Sequence, residues 1–231
     1  MAGFADVPGT EIIVFYPKDG VSKVQELQMT TQTGDNTHVI AIDGNFDDAQ
    51  SNVKKIFQDQ EMKARLNEMN TTLSSANSIN IGRLIPQIVY YVFAYKEMVR
   101  KGKIRFGEEI NFCVPTGNYG NVLAGYYAKC MGLPVKRFLV ASNANHVLYD
   151  FLTTGIYDRN RSFFKTISPS MDILISSNLE RLLYYKSGKD ADYIHELMKS
   201  LEEKGSYQVR SDIFKDIQKD FYGGYCDDET C

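Results

Sequence analysis

The sequence lacks tryptophan, has only three histidines and contains no long apolar run. Uninterrupted runs such as Ile12 to Tyr16 fall far short of the roughly 20 apolar residues that a membrane-spanning helix needs. The first twenty residues also lack the basic and apolar segments of a secretion signal. These absences argue against a membrane span and against secretion, so we expect a cytoplasmic protein.

An excess of positive charge is also missing. The chain has 26 Lys and Arg against 29 Asp and Glu, a formal net charge of −3, and no basic run is longer than a pair. Proteins that bind nucleic acid or anionic lipid present clustered basic side chains to the phosphates. We therefore expect neither nucleic acid nor a membrane surface as a partner.

The four cysteines show no spacing that carries chemistry. They form no Cys-x-x-Cys pair and have no zinc-ligand spacing with the histidines. This pattern predicts reduced thiols, as in a cytoplasm, and no metal site. The cysteines are Cys113, Cys130, Cys226 and Cys231.

What the sequence does contain is an ordinary globular composition, with 43% apolar and 24% charged residues in 231, and alternating strand and helix signals. This alternation predicts an α/β fold with parallel sheets and flanking helices. Two apolar strands, 11–17 and 110–114, are expected to be buried, the first of them on both faces. The other predicted strands are 38–42 and 135–141, and the predicted helices are about 22–31, 47–67, 81–100, 122–131, 146–152, 173–185, 191–204 and 211–220.

A polar stretch at residues 70–80, NTTLSSANSIN, interrupts the apolar periodicity. Its side chains favour local bonds to the backbone, which is typical of loops. We therefore predict that residues 1–75 form part of a smaller α/β domain and residues 76–231 part of a larger one.

The most informative segment is the loop Pro115-Thr116-Gly117-Asn118-Tyr119-Gly120-Asn121, between a predicted strand and a predicted helix. Its two glycines allow the backbone to approach a ligand closely, and the helix N-terminus offers free amides to an anion. The loop lacks the third glycine of GxGxxG and the Gly-Lys-Ser/Thr of a P-loop. A phosphate site and a tight turn that binds nothing both remain open from spacing alone.

Longer stretches around this loop carry a family resemblance. Residues 111–145, NFCVPTGNYGNVLAGYYAKCMGLPVKRFLVASNAN, resemble the cofactor-phosphate segment of threonine synthases. Residues 14–50, 74–87 (SSANSINIGRLIPQ) and 168–185 (SPSMDILISSNLERLLYY) resemble the smaller domain, the interdomain segment and a later part of the larger domain. The resemblance extends to about Tyr185 and keeps the order of that family.

This resemblance implies an incomplete tryptophan-synthase-β-like fold, that of the fold type II pyridoxal-phosphate enzymes. It also implies pyridoxal 5′-phosphate as cofactor, and conversion of O-phosphohomoserine and water to L-threonine and phosphate. The larger domain would then be the one that binds the cofactor phosphate. The residues that would hold that phosphate are Gly117, Asn118, Tyr119, Gly120 and Asn121.

Three further residues are candidates for binding the substrate. Asn77 and Ser78 lie in the predicted crossing loop, although Asn and Ser are also common loop and cap residues. Arg181, near Asp172 and Asn178, has a side chain that can pair with a substrate phosphate, although the sequence favours a solvated helix face for all three.

One departure from the family matters for activity. The family attaches its cofactor through a lysine in an AFKD-like motif and binds the substrate carboxylate with an SGDTG-like loop, and neither string occurs in these 231 residues. We therefore assign no catalytic residue. We expect this chain to be a central segment of a longer protein and to have no threonine synthase activity by itself. An incomplete sheet exposes apolar edges, so we also expect self-association.

Two other hypotheses remain. One is a non-catalytic phosphate-binding or interaction module derived from the same family. The weaker one is a nucleotide-binding domain of the Rossmann type, which needs an acidic residue at the end of the strand that follows the glycine loop. Asp43 ends a strand, but that strand precedes the loop.

Overall fold

A computed structural model describes residues 1–77 and 80–230, with residues 46 and 47 described only as part of a helix. Contacts within the chain divide it into two compact units, Met1–Leu73 and Ser74–Cys231. Their assignment to a smaller and a larger domain of one enzyme stays a prediction. In the described part of the chain, each helix is too short or too polar to cross a bilayer.

The first unit alternates strands and helices. Its strands β1 and β2 pair in parallel, from Ile12 opposite Thr37 to Pro17 opposite Ile42. The predicted βαβ arrangement is thereby confirmed for this unit. The elements are β1 (Ile12–Pro17), α1 (Lys23–Thr30), β2 (Thr37–Ile42), α2 (Phe46–Gln58) and α3 (Gln60–Glu68).

Capping side chains set where the helices of this unit begin. Ser22 Oγ accepts from the Gln25 amide at 3.3 Å, and Gln25 Oε1 accepts from the Ser22 amide, so the two residues form a capping box. The predicted helix 47–67 was wrong as one element, because Asp59 divides it. Asp59 adopts an extended backbone after α2, and its Oδ1 accepts from the Met62 amide at 3.0 Å, so it starts α3.

The second unit contains the remaining elements. Pro86, which has no N–H to donate, lies in the 3-10 turn Ile85–Gln87 between two helices. The elements are α4 (Ile81–Leu84), α5 (Ile88–Arg100), β3 (Ile110–Pro115), α6 (Gly120–Cys130), β4 (Val135–Ser142), α7 (Val147–Thr154), β5 (Ile156–Asp158), α8 (Leu179–Lys186), α9 (Ala191–Lys204), β6 (Ser206–Gln208), α10 (Ser211–Asp220) and β7 (Phe221–Tyr225).

The main sheet of this unit is parallel, in the order β3-β4-β7. Phe138 on β4 is fully buried and packs on Phe221 and Phe112, with ring centroids 5.6 and 6.2 Å apart. The first turns of α6 pack into the same core through Val122 and Leu123. The α/β class with parallel sheets is confirmed. The short antiparallel pair β5–β6 and the glycine-containing β7 were not predicted, because neither carries an apolar run long enough to indicate a strand.

The prediction that the first strand is buried on both faces was wrong, and the third strand, predicted to be buried, is only partly so. Ile13 is 56% exposed between two half-buried neighbours, and Cys113 is exposed between half-buried Phe112 and buried Val114. Among the described residues, helices therefore cover only one face of these strands. A continuous apolar run shows that a strand can be buried, but the elements that cover it are set by the tertiary structure.

Candidate functional site

The glycine loop lies at the carboxyl end of β3, where it leads into α6. Thr116 continues the sheet for one more residue, since its amide donates to the Ala141 carbonyl at 2.8 Å. Its hydroxyl donates to the Val114 carbonyl at 2.6 Å. The carboxyl edge of a parallel sheet is the usual place for ligands in α/β proteins.

The backbone of this loop turns sharply at Tyr119. This residue has a left-handed conformation (φ 61°) and immediately precedes α6. Its carbonyl accepts the Leu123 amide at 2.9 Å, whereas the amides of residues 117 to 122 donate to no acceptor in the described part of the chain. These amides add to the partial positive charge at the start of an 11-residue helix. The arrangement is suited to an anion.

The loop also shows the close packing and the unmet polar group of a ligand site. A Cβ on Gly117 would lie 2.7 Å from the Ser170 carbonyl oxygen, so only glycine fits at this position. Asn118 Oδ1 is buried and has no partner among the residues that the structure describes. The residues present fit a bound phosphate group, because the loop amides have no acceptor among the described residues and can donate to phosphate oxygens. Asn118 Oδ1 is an acceptor and can bond only a donor elsewhere on a ligand.

Tyr119 and Asn121 are held by aromatic neighbours. Tyr119 is buried beside Phe221, and burial raises the pKa of Tyr119 well above its ordinary value, so its hydroxyl stays protonated. The Tyr91 hydroxyl bonds both the carbonyl and the side chain of Asn121. Helix α5 thus fixes the first turn of α6.

The segment before α8 donates hydrogen bonds to two carbonyls of the glycine loop. Ser176 Oγ donates to the Gly117 carbonyl at 2.9 Å. The backbone and side-chain amides of Asn178 both donate to the Asn118 carbonyl, at 3.1 and 2.9 Å. Arg181 Nη1 in turn donates to Asn178 Oδ1. Arg181 is therefore linked to the glycine loop through one intervening side chain.

Asp172 is buried (3% exposed), so its interpretation as part of a solvated helix was wrong. Its Oδ1 accepts from Asn143 Nδ2 at 2.7 Å, Asn145 Nδ2 at 3.1 Å and Thr166 Oγ1 at 2.7 Å. Its Oδ2 accepts from the Thr166 amide at 2.9 Å. Sequence reasoning missed this cluster. The signal was the pair of asparagines directly after β4, at the ligand edge of the sheet.

The predicted helix 173–185 was also wrong at its start, since α8 begins only at Leu179. The preceding residues use their polar groups on the glycine loop and on Tyr157, whose hydroxyl accepts the Ser176 amide at 2.8 Å. Asn178 is 1% exposed and is not part of a solvated face. These bonds compete with helical ones.

The predicted residues are thus placed as follows. The five loop residues lie together, and Arg181 lies one side chain away from them. Asn77 bonds within its own loop, where its Oδ1 accepts from Ser75 Oγ at 2.7 Å. Ser78 lies outside the described residues. The ligand roles of all of these residues stay predictions.

Comparison with known proteins places this geometry in context, although no protein-family model matches the chain. The chain is 44% identical over 222 residues to threonine synthase-like 1 of Homo sapiens, 40% over 222 to the threonine synthase of Pseudomonas aeruginosa and 37% over 219 to that of Saccharomyces cerevisiae. These alignments cover 95%, 96% and 91% of the chain, but only 30%, 45% and 41% of those relatives.

Solved structures agree with the sequence matches. The pyridoxal-phosphate-bound threonine synthase from Brucella melitensis superposes with a TM-score of 0.82 and 39% identity, over 98% of this chain and 47% of that one. The yeast enzyme gives 0.81 and 34%, over 98% and 44%. The fold is therefore the one found in part of these threonine synthase structures, one of which is described as bound to pyridoxal phosphate. In sequence and in fold, the chain matches the threonine synthases and spans less than half of each of these relatives.

Proposed function

We propose that this chain forms the cofactor-phosphate-binding part of a threonine synthase that converts O-phosphohomoserine and water to L-threonine and phosphate. The observation that carries the proposal is the run of amides from residue 117 to 122 that donate to no acceptor in the described part of the chain. When bound, pyridoxal phosphate withdraws electrons from the carbon atoms of an amino-acid substrate. The residues of this chain bind and orient that group.

Each loop residue has a part in this binding. The amides of Gly117, Asn118, Tyr119, Gly120 and Asn121 donate to the phosphate oxygens, and the partial positive charge of α6 favours the phosphate dianion. Gly117 allows the loop to pass against the Ser170 carbonyl. No lysine is needed for this phosphate contact, because backbone donors supply it.

The same proposal includes the substrate contacts and the compartment. We keep Asn77, Ser78 and Arg181 as residues that bind O-phosphohomoserine. Arg181 is connected to the Asn118 carbonyl through Asn178, which brings its guanidinium close to the loop. This position supports a role for Arg181 in binding the substrate. We also propose a cytoplasmic location, which rests on the spacing of the cysteines.

The first experiment is to sequence the coding DNA on both sides of these 231 codons and to express the complete open reading frame. We expect the frame to encode an AFKD-like lysine and an SGDTG-like loop. We expect the purified protein to bind pyridoxal phosphate more tightly than pyridoxal, and to release threonine and phosphate in equal amounts from O-phosphohomoserine. Equal affinity for the two cofactor forms would refute the phosphate site.

A second candidate is a non-catalytic phosphate-binding module. It is favoured by the higher identity to a protein named threonine synthase-like 1, 44%, than to the two threonine synthases reported above, 40% and 37%. A complete frame without the lysine, whose product prefers pyridoxal phosphate to pyridoxal but releases no threonine, would establish this candidate.

Self-association of the 231-residue chain is part of the proposal. Ile85, Val89 and Phe93 recur every four residues along one side of the α5 region, and each is more than half exposed. A row of this kind is the feature expected of a surface that associates. Light scattering should show a mass that rises with concentration, and a constant monomer mass would contradict this expectation.

A further inference from the structure

We infer that Ser176 and Asn178 are positioning residues that aim the amides of the glycine loop at the cofactor phosphate. This inference rests on the proposed function and names how that site is built. The two side chains do not contact the phosphate themselves. They act through the carbonyls of Gly117 and Asn118, to which they donate at 2.9 Å in each case.

The reason lies in the planarity of the peptide bond. In a trans peptide, the carbonyl of one residue and the N–H of the next point in opposite directions. Ser176 binds the Gly117 carbonyl, so the Asn118 N–H must point away from the segment before α8. Asn178 binds the Asn118 carbonyl twice, so the Tyr119 N–H must do the same. Two donors are thereby fixed toward the same side before any ligand arrives.

The side chain of Asn178 can serve this role in only one orientation. Its Oδ1 accepts from the Arg181 guanidinium while its Nδ2 donates to the Asn118 carbonyl. A flipped amide would place Nδ2 against a cation and Oδ1 against a carbonyl oxygen, and both contacts would be repulsive. Arg181 therefore selects the orientation in which Asn178 donates.

The positioning segment is itself rigidly held. Ser176 and Asn178 are both buried, and the Ser176 amide donates to the buried Tyr157 hydroxyl at 2.8 Å. The hydrogen bonds of the Asp172 carboxylate also fix the nearby backbone of Ser170, which packs on Gly117. A preorganised set of donors binds an anion without first losing conformational entropy.

The test compares variants of the protein translated from the complete open reading frame, prepared without cofactor. Affinities for pyridoxal phosphate and for pyridoxal are measured by absorbance titration, and their ratio isolates the phosphate contribution. The variants are Ser176→Ala and Asn178→Asp. The control is Ser200→Ala, which removes a similar hydroxyl-to-carbonyl bond, 2.8 Å to Ser206, far along the chain from the loop.

We expect the ratio to fall about tenfold in Ser176→Ala and in Asn178→Asp. In each variant, the hydrogen bond from a loop N–H to the charged phosphate loses its alignment. The ratio should stay at the wild-type value in Ser200→Ala. An unchanged ratio in Ser176→Ala, or an equal fall in Ser200→Ala, would overturn the inference, and Ser176→Ala decides the question if Asn178→Asp does not fold. A wild-type ratio near one would instead overturn the proposed function itself.

Discussion

Replacing Gly117 with alanine tests the loop directly, because the new methyl group would meet backbone and not a flexible side chain. The added Cβ would lie 2.7 Å from the Ser170 carbonyl oxygen and 3.4 Å from Met171 Cα. Ser170 lies in the 3-10 turn Pro169–Met171, next to the four hydrogen bonds of the Asp172 carboxylate. The neighbouring backbone therefore cannot move aside easily.

Two opposing effects determine the size of the change. An added methyl group in a tightly packed site costs about 1–3 kcal/mol of stability. Alanine also restricts the unfolded chain relative to glycine, which returns about 0.4–1 kcal/mol. We expect a net loss of about 1–2 kcal/mol, together with a displaced loop and a lower preference for pyridoxal phosphate over pyridoxal.

Urea unfolding and the two cofactor titrations are the assays, and Gly205→Ala is the matched control. Gly205 follows α9 in the left-handed conformation (φ 75°), and a Cβ there would meet the side-chain amide of Asn160, away from the loop. This control should lose stability without changing the cofactor preference. Gly117→Ala with wild-type stability and wild-type preference would refute our account of the loop.

Three further predictions concern side chains and not the loop amides. Tyr119→Phe should raise the free energy of unfolding by about 1 kcal/mol, because it removes a buried hydroxyl that has no partner among the described residues; a less stable variant in urea unfolding would contradict this. Asp172→Asn should lower that free energy by about 1–3 kcal/mol, since the new amide nitrogen would face N–H donors that bond the carboxylate in the wild type. An unchanged midpoint in urea unfolding would disprove this. The hydrogen bond from Lys186 holds the pKa of Asp216 in the folded protein below its ordinary value. The stability that this bond gives is complete above the ordinary pKa, and it is lost as the pH falls through the lowered pKa of the folded protein. Asp216→Asn should therefore lose less stability than the wild type when unfolding is followed below about pH 4, and parallel pH profiles would contradict this.

Local signals were enough for much of the fold. The helix predicted at about 22–31 begins directly after Ser22, because the Ser22 oxygen accepts an amide three residues away, a purely local interaction. The parallel pairing of β1 with β2 followed from the alternation of strand and helix. The glycine loop was located correctly because its composition is unusual between a strand and a helix. Its ligand stays a proposal.

The amino-acid sequence by itself determined the α/β class, the place of the loop and the family that the chain resembles, because these depend on periodicity, turn residues and local order. Only the tertiary structure decided which strand faces are covered, and that the Asp172 carboxylate is buried among four hydrogen bonds. It also placed Ser176 and Asn178 on the loop carbonyls, 59 and 60 residues away along the chain. Contacts between such distant residues leave no periodic signal, since they arise only when the packed core brings the segments together.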